Sequence, residues 1–374
     1  MTLTDKQHKG LQLAVRRYKD KEPYTVISGY AGTGKSTLVQ YIINELNIPD
    51  SKIAYVAYTG RAALVLKSKG CPGATTAHKL LYHTTELPDG TFIHTPKEKP
   101  DKPLRLIVVD EISMLEKSQW DILMKWGIHV ICLGDDAQLP PIHEDNGVLQ
   151  HPHIFLDEIV RQAKDNEIVR LSLDIREGKS LNCFKGKDVW VVPKETISDR
   201  ILSTADIVLC GKNTTRYYLN QRIRRNIWGE QYKEEPIDGD KIICLKNYWN
   251  YGDLANGLIG RITDIEKKDD FFLKTKLIAN FETDDDYFGD LNMDYQLFIE
   301  GKPLVNQDNW KMYPKEVRPL EFDYSYGITT WKGQGSEWDK VVVFADKLSC
   351  NKEMYQRYLY TSVTRSKHKL IVGI

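Results

Sequence analysis

Residues 24–36 read YTVISGYAGTGKS, and no other stretch of this chain restricts the fold as tightly. A short β-rich apolar run leads into a glycine-rich loop that fits GxxxxGK[ST], and a helical pattern starts directly behind it. Glycines in such a loop let backbone N–H groups close around phosphates, and the following helix N-terminus adds positive potential. Loops of this kind sit at the carboxyl edge of a parallel sheet, so the surrounding chain is expected to supply one.

The first 160 residues do so in pattern. YTVISGY (24–30), IAYVAYT (53–59), LRLIVVD (104–110) and VICLGD (130–135) are short, β-rich and uniformly apolar. Strands buried on both faces of a parallel sheet read this way. Helix-like segments at 35–46 and 60–69 lie between them, which indicates a doubly wound α/β domain. A second α/β set follows: a helix around 165–177, DIVLC (206–210), a helix around 213–227, VVVF (341–344) and KLIVGI at the C-terminus.

Two stretches break the alternation. Residues 82–103 hold a Pro-Asp-Gly turn between threonine-rich arms, which predicts a protruding β-hairpin. Residues 238–322 hold several strand-like runs (KIICLKNY, LIGRITDIE, FFLKTKLIANF) separated by turn residues, which predicts a small β-barrel inserted in the second α/β domain. The expected domains are therefore 1–158, then 159–237 with 323–374, and the insertion 238–322.

Composition narrows the class. A hydrophobic fraction of 41% and a charged fraction of 28% are those of an ordinary soluble protein. The N-terminal MTLTDKQHKG is polar and no long apolar run exists, so neither a leader nor a membrane span is expected, and the cytoplasm is. Cys71, Cys132, Cys183, Cys210, Cys244 and Cys350 form no CxxC pair, which argues against zinc and fits reduced thiols. The net charge is zero, yet residues 238–322 carry 17 Asp+Glu against 11 Lys+Arg, leaving the remainder mildly basic. A polyanion bound in a local groove is compatible with that distribution.

The motifs carry the chemistry. In GYAGTGKS (29–36), Lys35 is placed to reach the β- and γ-phosphates and Ser36 to ligate Mg²⁺. LIVVDEIS (106–113) ends a strand in two carboxylates: Asp110 to hold Mg²⁺, Glu111 to orient and deprotonate the attacking water. Taken without the first loop, an acidic pair here is an ordinary strand end. ICLGDDAQLPPI (131–142) brings Asp135 and Gln138 towards the γ-phosphate, or is a proline-terminated turn. Arg161 in EIVRQ and Arg365 in YTSVTRSK (360–367) are the arginines available to stabilise a transferring phosphoryl group, or surface arginines in weak ion pairs. In ITTWKGQGSEWD (328–339), Gly335 and Glu337 suit nucleotide contact, and Thr329, Thr330 and Lys332 suit a phosphodiester backbone. Trp331 is suited to stack on a base or to fill a core.

In this order the motifs resemble those of the superfamily 1 helicases, in the RecD- and Dda-like branch that moves 5′→3′ on single-stranded DNA. LTDKQHKGL (3–11) is similar to the adenine-reading glutamine motif, with Gln7 as reader. AYTGRAA (57–63) and TTAHKLL (75–81) resemble motifs Ia and Ib; GYAGTGKS, DEIS, GDDAQLPPI, Arg161-Gln162, TTWKGQGSEWD and YTSVTRS resemble motifs I to VI. The resemblance implies two RecA-like domains, with ATP and Mg²⁺ as cofactors and Gly29, Gly32, Thr33, Gly34 and Thr37 among the nucleotide contacts. It implies single-stranded DNA at Thr59, Arg61, Thr76 and His78 and at Thr330 and Lys332 opposite, and a strand-separating pin in the hairpin, where Phe92 or His94 stands near the turn. Tyr58 replaces the usual proline of motif Ia, and Trp331 the usual histidine of motif V. The expected product is a near-minimal motor acting as a monomer on single-stranded and forked DNA, with replication or recombination partners open. An ATP-switched DNA-binding subunit of a nuclease or recombination complex, and an RNA-directed motor, are the alternatives.

Overall fold

The computed structural model describes residues 3–87, 92–141, 144–158, 166–252, 254–306 and 308–374, with the Trp249 side chain outside that set. Two compact units emerge. The first comprises Met1–Thr85, Ile93–Leu181 and Cys350–Thr364; the second comprises Glu86–Phe92, Asn182–Ser349 and Arg365–Ile374. The helices Glu167–Arg176 and Lys352–Val363, assigned to the second domain from sequence, group with the first unit.

The first unit holds a six-stranded sheet. Its strands are β1 (Tyr24–Gly29), β2 (Ile53–Ala57), β3 (Thr75–Thr76), β6 (Leu106–Val109), β7 (His129–Gly134) and β8 (Ile154–Leu156), while β4 (Tyr82–Glu86) and β5 (Phe92–Pro96) form the hairpin. The order is β3-β2-β6-β7-β1-β8 and the pairings are parallel. Side chains of a strand alternate faces, so a strand buried on both sides must be apolar throughout. That division is explicit here. Ile27, Tyr55, Val108 and Ile131 enter the core that contains Leu38, Val39 and Ile42 of the helix Lys35–Leu46. Their neighbours Val26, Val56, Ile107, Val109, Val130 and Cys132 enter the opposite core with Trp120 and Leu123. Short edge strands such as Ile154–Leu156 carry no such signal.

The second unit contains β9 (Phe184–Lys185), β10 (Val189–Val192), β11 (Ile207–Cys210), β17 (Gly327–Thr329), β18 (Trp338–Phe344) and β19 (Ser366–Gly373). They form a sheet in the order β17-β11-β18-β19-β10-β9, parallel except for the β9–β10 edge. Between β11 and β17 the chain makes a five-stranded antiparallel sheet in the order β15-β14-β13-β12-β16, from β12 (Lys241–Cys244), β13 (Ile259–Asp270), β14 (Lys274–Glu282), β15 (Tyr287–Met293) and β16 (Phe322–Tyr324). Its two edges meet where Leu320 N–H donates to Asn292 O (2.7 Å) and Asp294 N–H to Leu320 O (2.8 Å). A register shift in β13 between Thr263 and Glu266 bends the long strand, as bulges do. Among the described residues no helix is long and apolar enough to cross a membrane.

The insertion is tied to the parallel sheet through a buried polar knot. Arg224, in the helix Asn213–Trp228, and Asp240, directly before β12, are both fully buried. Arg224 donates to Asp240 through Nε (3.1 Å) and Nη2 (2.8 Å), and to the carbonyls of Glu234 and Glu235. Asp240 also accepts from Trp228 Nε1 (2.9 Å), Tyr326 OH (3.0 Å) and Ile237 N (2.9 Å).

Candidate active site

The phosphate loop grows out of β1. Gly29 is obligatory, because a Cβ there would lie 2.3 Å from the Leu156 carbonyl oxygen. Gly32 and Gly34 both take φ 77°, a conformation open to glycine at no steric cost. Lys35 Nζ donates to the Gly29 and Tyr30 carbonyls (2.7 and 3.0 Å), so the ammonium is held over the loop. Thr33 is buried and its hydroxyl donates to Tyr30 O (2.8 Å); Ser36 is exposed and Thr37 half-buried. Gln7 is buried as well. Its Oε1 accepts from Thr4 N in a capping box, and its Nε2 donates to Thr33 O (3.0 Å), which joins the N-terminal helix to the loop.

Asp110 and Glu111 follow β6. The Asp110 carboxyl is held above the usual carboxylate range, first by burial and then by Glu111, while Lys35 pulls the other way. A carboxyl raised by desolvation and a like charge is poised to accept a cation. With the Ser36 hydroxyl exposed at the head of its helix, this donor set fits Mg²⁺, which takes few protein ligands alongside phosphate oxygens. Glu111 sits at φ 50°, a left-handed conformation that costs a non-glycine residue about 1–3 kcal/mol. Strain of that kind concentrates where a side chain must be aimed. Gln138 Nε2 donates towards Glu111 Oε1 (3.4 Å), and Gln138 Oε1 is buried without a hydrogen-bond partner. Thus Gln7, Thr33, Lys35, Asp110, Glu111 and Gln138 converge in one unit. Arg161 lies outside the described residues.

Sequence reasoning missed two members of this neighbourhood. Arg176 donates to Asp135 Oδ1 (2.7 Å) and Asp136 Oδ1 (2.5 Å), with its guanidinium 4.3 Å from the Tyr30 ring centroid. Tyr360 donates to Asp135 Oδ2. No motif pattern marks an arginine that reaches forty residues back along the chain.

The expected nucleic-acid residues fall into both units. Thr59 and Thr76 are N-caps; their hydroxyls accept from Ala62 N (3.2 Å) and Lys79 N (3.3 Å). Arg61 is half-buried. The His78 ring lies 4.7 Å from both Tyr82 and His94, and burial, then His94, holds it below the usual histidine range. In the second unit Thr330 is fully buried and donates to Cys210 O (3.3 Å), so its hydroxyl is turned inward. Thr329 and Lys332 instead line a cavity of about 400 Å³ with Asn213 and Arg216. Trp331 is half-buried. Gly335 takes φ 71°, Glu337 is exposed, and Arg365 is buried with Nη1 3.4 Å from Ser336 O. The expected Pro-Asp-Gly turn of the hairpin lies outside the described residues. Phe92 beside it lines a cavity of about 930 Å³ with Tyr251, Trp310 and Arg318, and Glu86 pairs with Lys315 (2.6 Å) and Asn250 (2.9 Å).

A parallel sheet whose strand ends carry a glycine-rich phosphate loop and an adjacent carboxylate pair met by Gln138 is the arrangement of a nucleotide-binding α/β fold. Comparison with known proteins agrees. The AAA domain family matches residues 2–187 and the UvrD-like helicase C-terminal domain family matches residues 324–372. The ATP-dependent DNA helicase Dda of Enterobacteria phage T4 is 27% identical over 190 residues, covering 47% of this chain and 43% of Dda. The ATP-dependent RecD2 DNA helicase of Deinococcus radiodurans is 25% identical over 369 residues, covering 92% of this chain and 46% of RecD2. The chain therefore spans less than half the length of these relatives. A solved structure of Pif1 helicases at forked double-stranded DNA is similar over all of this chain and 92% of its own, with TM-score 0.58 at 18% identity. Bacteroides Pif1 bound to single-stranded DNA also gives TM-score 0.58, at 16% identity, over 100% of this chain and 92% of its own. The chain belongs to the superfamily 1 helicases, in the branch of the RecD- and Dda-like proteins.

Proposed function

We propose that this chain is an ATP-dependent DNA helicase that moves 5′→3′ on single-stranded DNA and separates strands at its hairpin. The observation that carries the reading is the convergence of Lys35, Asp110, Glu111 and Gln138 within one unit. Lys35 reaches the phosphates once they replace the loop carbonyls as its partners. Glu111, aimed by its left-handed backbone and met by Gln138, orients the attacking water and takes its proton. Ser36 and Asp110 would hold Mg²⁺, which neutralises charge on the β- and γ-phosphates.

Other parts of the reading come from the resemblance. Residues 1–158 and 159–237 with 323–374 act as the two RecA-like domains, with 238–322 as the inserted barrel. Gln7, Gly29, Gly32, Thr33, Gly34, Thr37, Gly335 and Glu337 contact nucleotide, and Arg161 and Arg365 stabilise the transferring phosphoryl group. Thr59, Arg61, Thr76, His78, Thr329, Trp331 and Lys332 grip the DNA, and Phe92 meets the junction. Thr330 joins that set through its backbone, because its hydroxyl is spent on Cys210.

Unwinding of two tailed duplexes, one with a 5′ and one with a 3′ overhang, tests the proposal with Lys35→Ala as the blank. Activity on the 5′ tail alone is the expected result. DNA-stimulated hydrolysis with no unwinding of either substrate would instead assign the chain as an ATP-switched subunit. Stronger stimulation by RNA than by DNA would assign an RNA-directed motor.

A further inference from the structure

Resting on that reading, we propose that Tyr360 is a positioning residue that links the phosphate loop to the Gln138 loop through its single hydroxyl. The oxygen accepts from the Ala31 N–H (3.3 Å) and donates to Asp135 Oδ2. Tyr360 is 1% exposed, and burial holds its phenol far above the usual range, so the proton stays on the oxygen. Phenylalanine would fill the same volume. A buried phenol tip is tolerated only when its hydrogen bonds are made, and both partners here belong to loops that handle phosphate.

Asp135 passes the link on. Its carboxylate accepts from Ala137 N (3.1 Å), and its carbonyl accepts from Gln138 N (3.1 Å), so its orientation sets the turn that presents Gln138. Gln138 in turn meets Glu111 (3.4 Å). Arg176 fixes the carboxylate from a third side and lies against the ring of Tyr30, the residue preceding Ala31. Further bonds hold the helix Lys352–Val363 in place. Thr361 accepts from Leu139 N (2.9 Å), Arg357 donates to Gln138 O (3.3 Å), and Gln356 donates to Ile175 O (2.6 Å). A displacement of the phosphate loop therefore reaches the water-orienting pair through Tyr360, and a small misplacement there costs far more in turnover than in binding.

The test is Tyr360→Phe in the full chain, with Tyr55→Phe as the matched control. Tyr55 is a buried tyrosine of the same unit whose hydroxyl also meets a carboxylate, Asp50 (3.4 Å), away from these loops. Steady-state DNA-stimulated hydrolysis gives kcat and KM, and thermal stabilisation by ADP gives nucleotide binding without turnover. The expected result for Tyr360→Phe is a kcat lowered roughly tenfold or more, with KM and ADP stabilisation nearly unchanged. Tyr55→Phe should lose stability and keep kcat. Tyr360→Phe with kcat within twofold of the parent overturns the inference, as does an equal fall in both variants. A parent chain without DNA-stimulated hydrolysis overturns the functional reading itself, which is a separate outcome.

Discussion

Replacing Asp240 by asparagine should be among the most destabilising conservative changes available in this protein. The shape is kept and one charge is removed. In the parent, the carboxylate accepts Arg224 Nε and Nη2 at 3.1 and 2.8 Å, and three neutral donors from Trp228, Tyr326 and Ile237. Neither member of the charge pair has any exposure, so water cannot replace the lost acceptor. Breaking a buried pair by removing one partner typically costs about 3–5 kcal/mol. At roughly 2–4 °C per kcal/mol for a unit of this size, the melting transition of the second unit should fall by about 6–20 °C. Arg224→Met should cost less, because Asp240 keeps its three neutral donors and the Glu234 carbonyl keeps the Tyr324 hydroxyl, while the Glu235 carbonyl loses its guanidinium donor. The double variant Arg224→Met/Asp240→Leu should not recover, since Trp228, Tyr326 and Ile237 would still lack an acceptor. Chemical denaturation followed by tryptophan fluorescence reads the three variants, with the slope checked for constancy. A loss below about 1 kcal/mol for Asp240→Asn would place the pair with exposed ion pairs and refute the argument from burial.

Two other outcomes follow from the site, and a third from His129 at the start of β7. Glu111→Gln should lower kcat about 10²–10⁴-fold while leaving ADP-induced thermal stabilisation intact, since it removes the proposed base and spares the phosphate loop; unchanged turnover would exclude Glu111 as the base. Gly29→Ala should abolish nucleotide binding or folding, because its Cβ would meet a backbone oxygen at 2.3 Å, and a variant with parental melting and turnover would contradict that clash. His129 is held below the usual 6.5, first by burial, with Nδ1 bonded to Glu22 O (2.7 Å) and Nε2 to Thr25 Oγ1 (3.1 Å). The folded state favours neutral imidazole, so this contribution is complete above about pH 6.5 and lost as pH falls through 6.5 towards the folded value. Melting temperatures between pH 7.5 and 5 should drop less steeply in His129→Gln than in the parent, and parallel curves would remove His129 from the account.

Much of the fold was legible because burial on both sheet faces leaves a plain mark: β1, β2, β6 and β7 had no polar face to offer, and their sequences say so. The antiparallel insertion was legible from its turns. Short edge strands such as Thr75–Thr76 and Phe184–Lys185 were not, because two residues carry no period. In the site, spacing located the phosphate loop and the carboxylate pair, which are local in sequence. It said little about hydroxyls. Thr33, Thr59 and Thr76 spend theirs on backbone three residues away, a competition that any serine or threonine faces and that residue type alone cannot settle, and Thr330 spends its own on the distant Cys210 carbonyl. Arg176 and Tyr360 were invisible because their partners are brought together only by the completed fold.

The grouping of Cys350–Thr364 with the first unit bears on how the protein is made. The strands β18 and β19 pair side by side in one sheet, yet the helix between them belongs to the other unit. Domains commonly fold in order as they leave the ribosome. Here the first unit lacks its last helix until residue 364 has been synthesised, so neither unit can be finished much before the other. For the same reason no single cut in the chain yields two complete halves. A fragment ending before Cys350 would carry the phosphate loop and the Gln138 loop without the tyrosine that joins them.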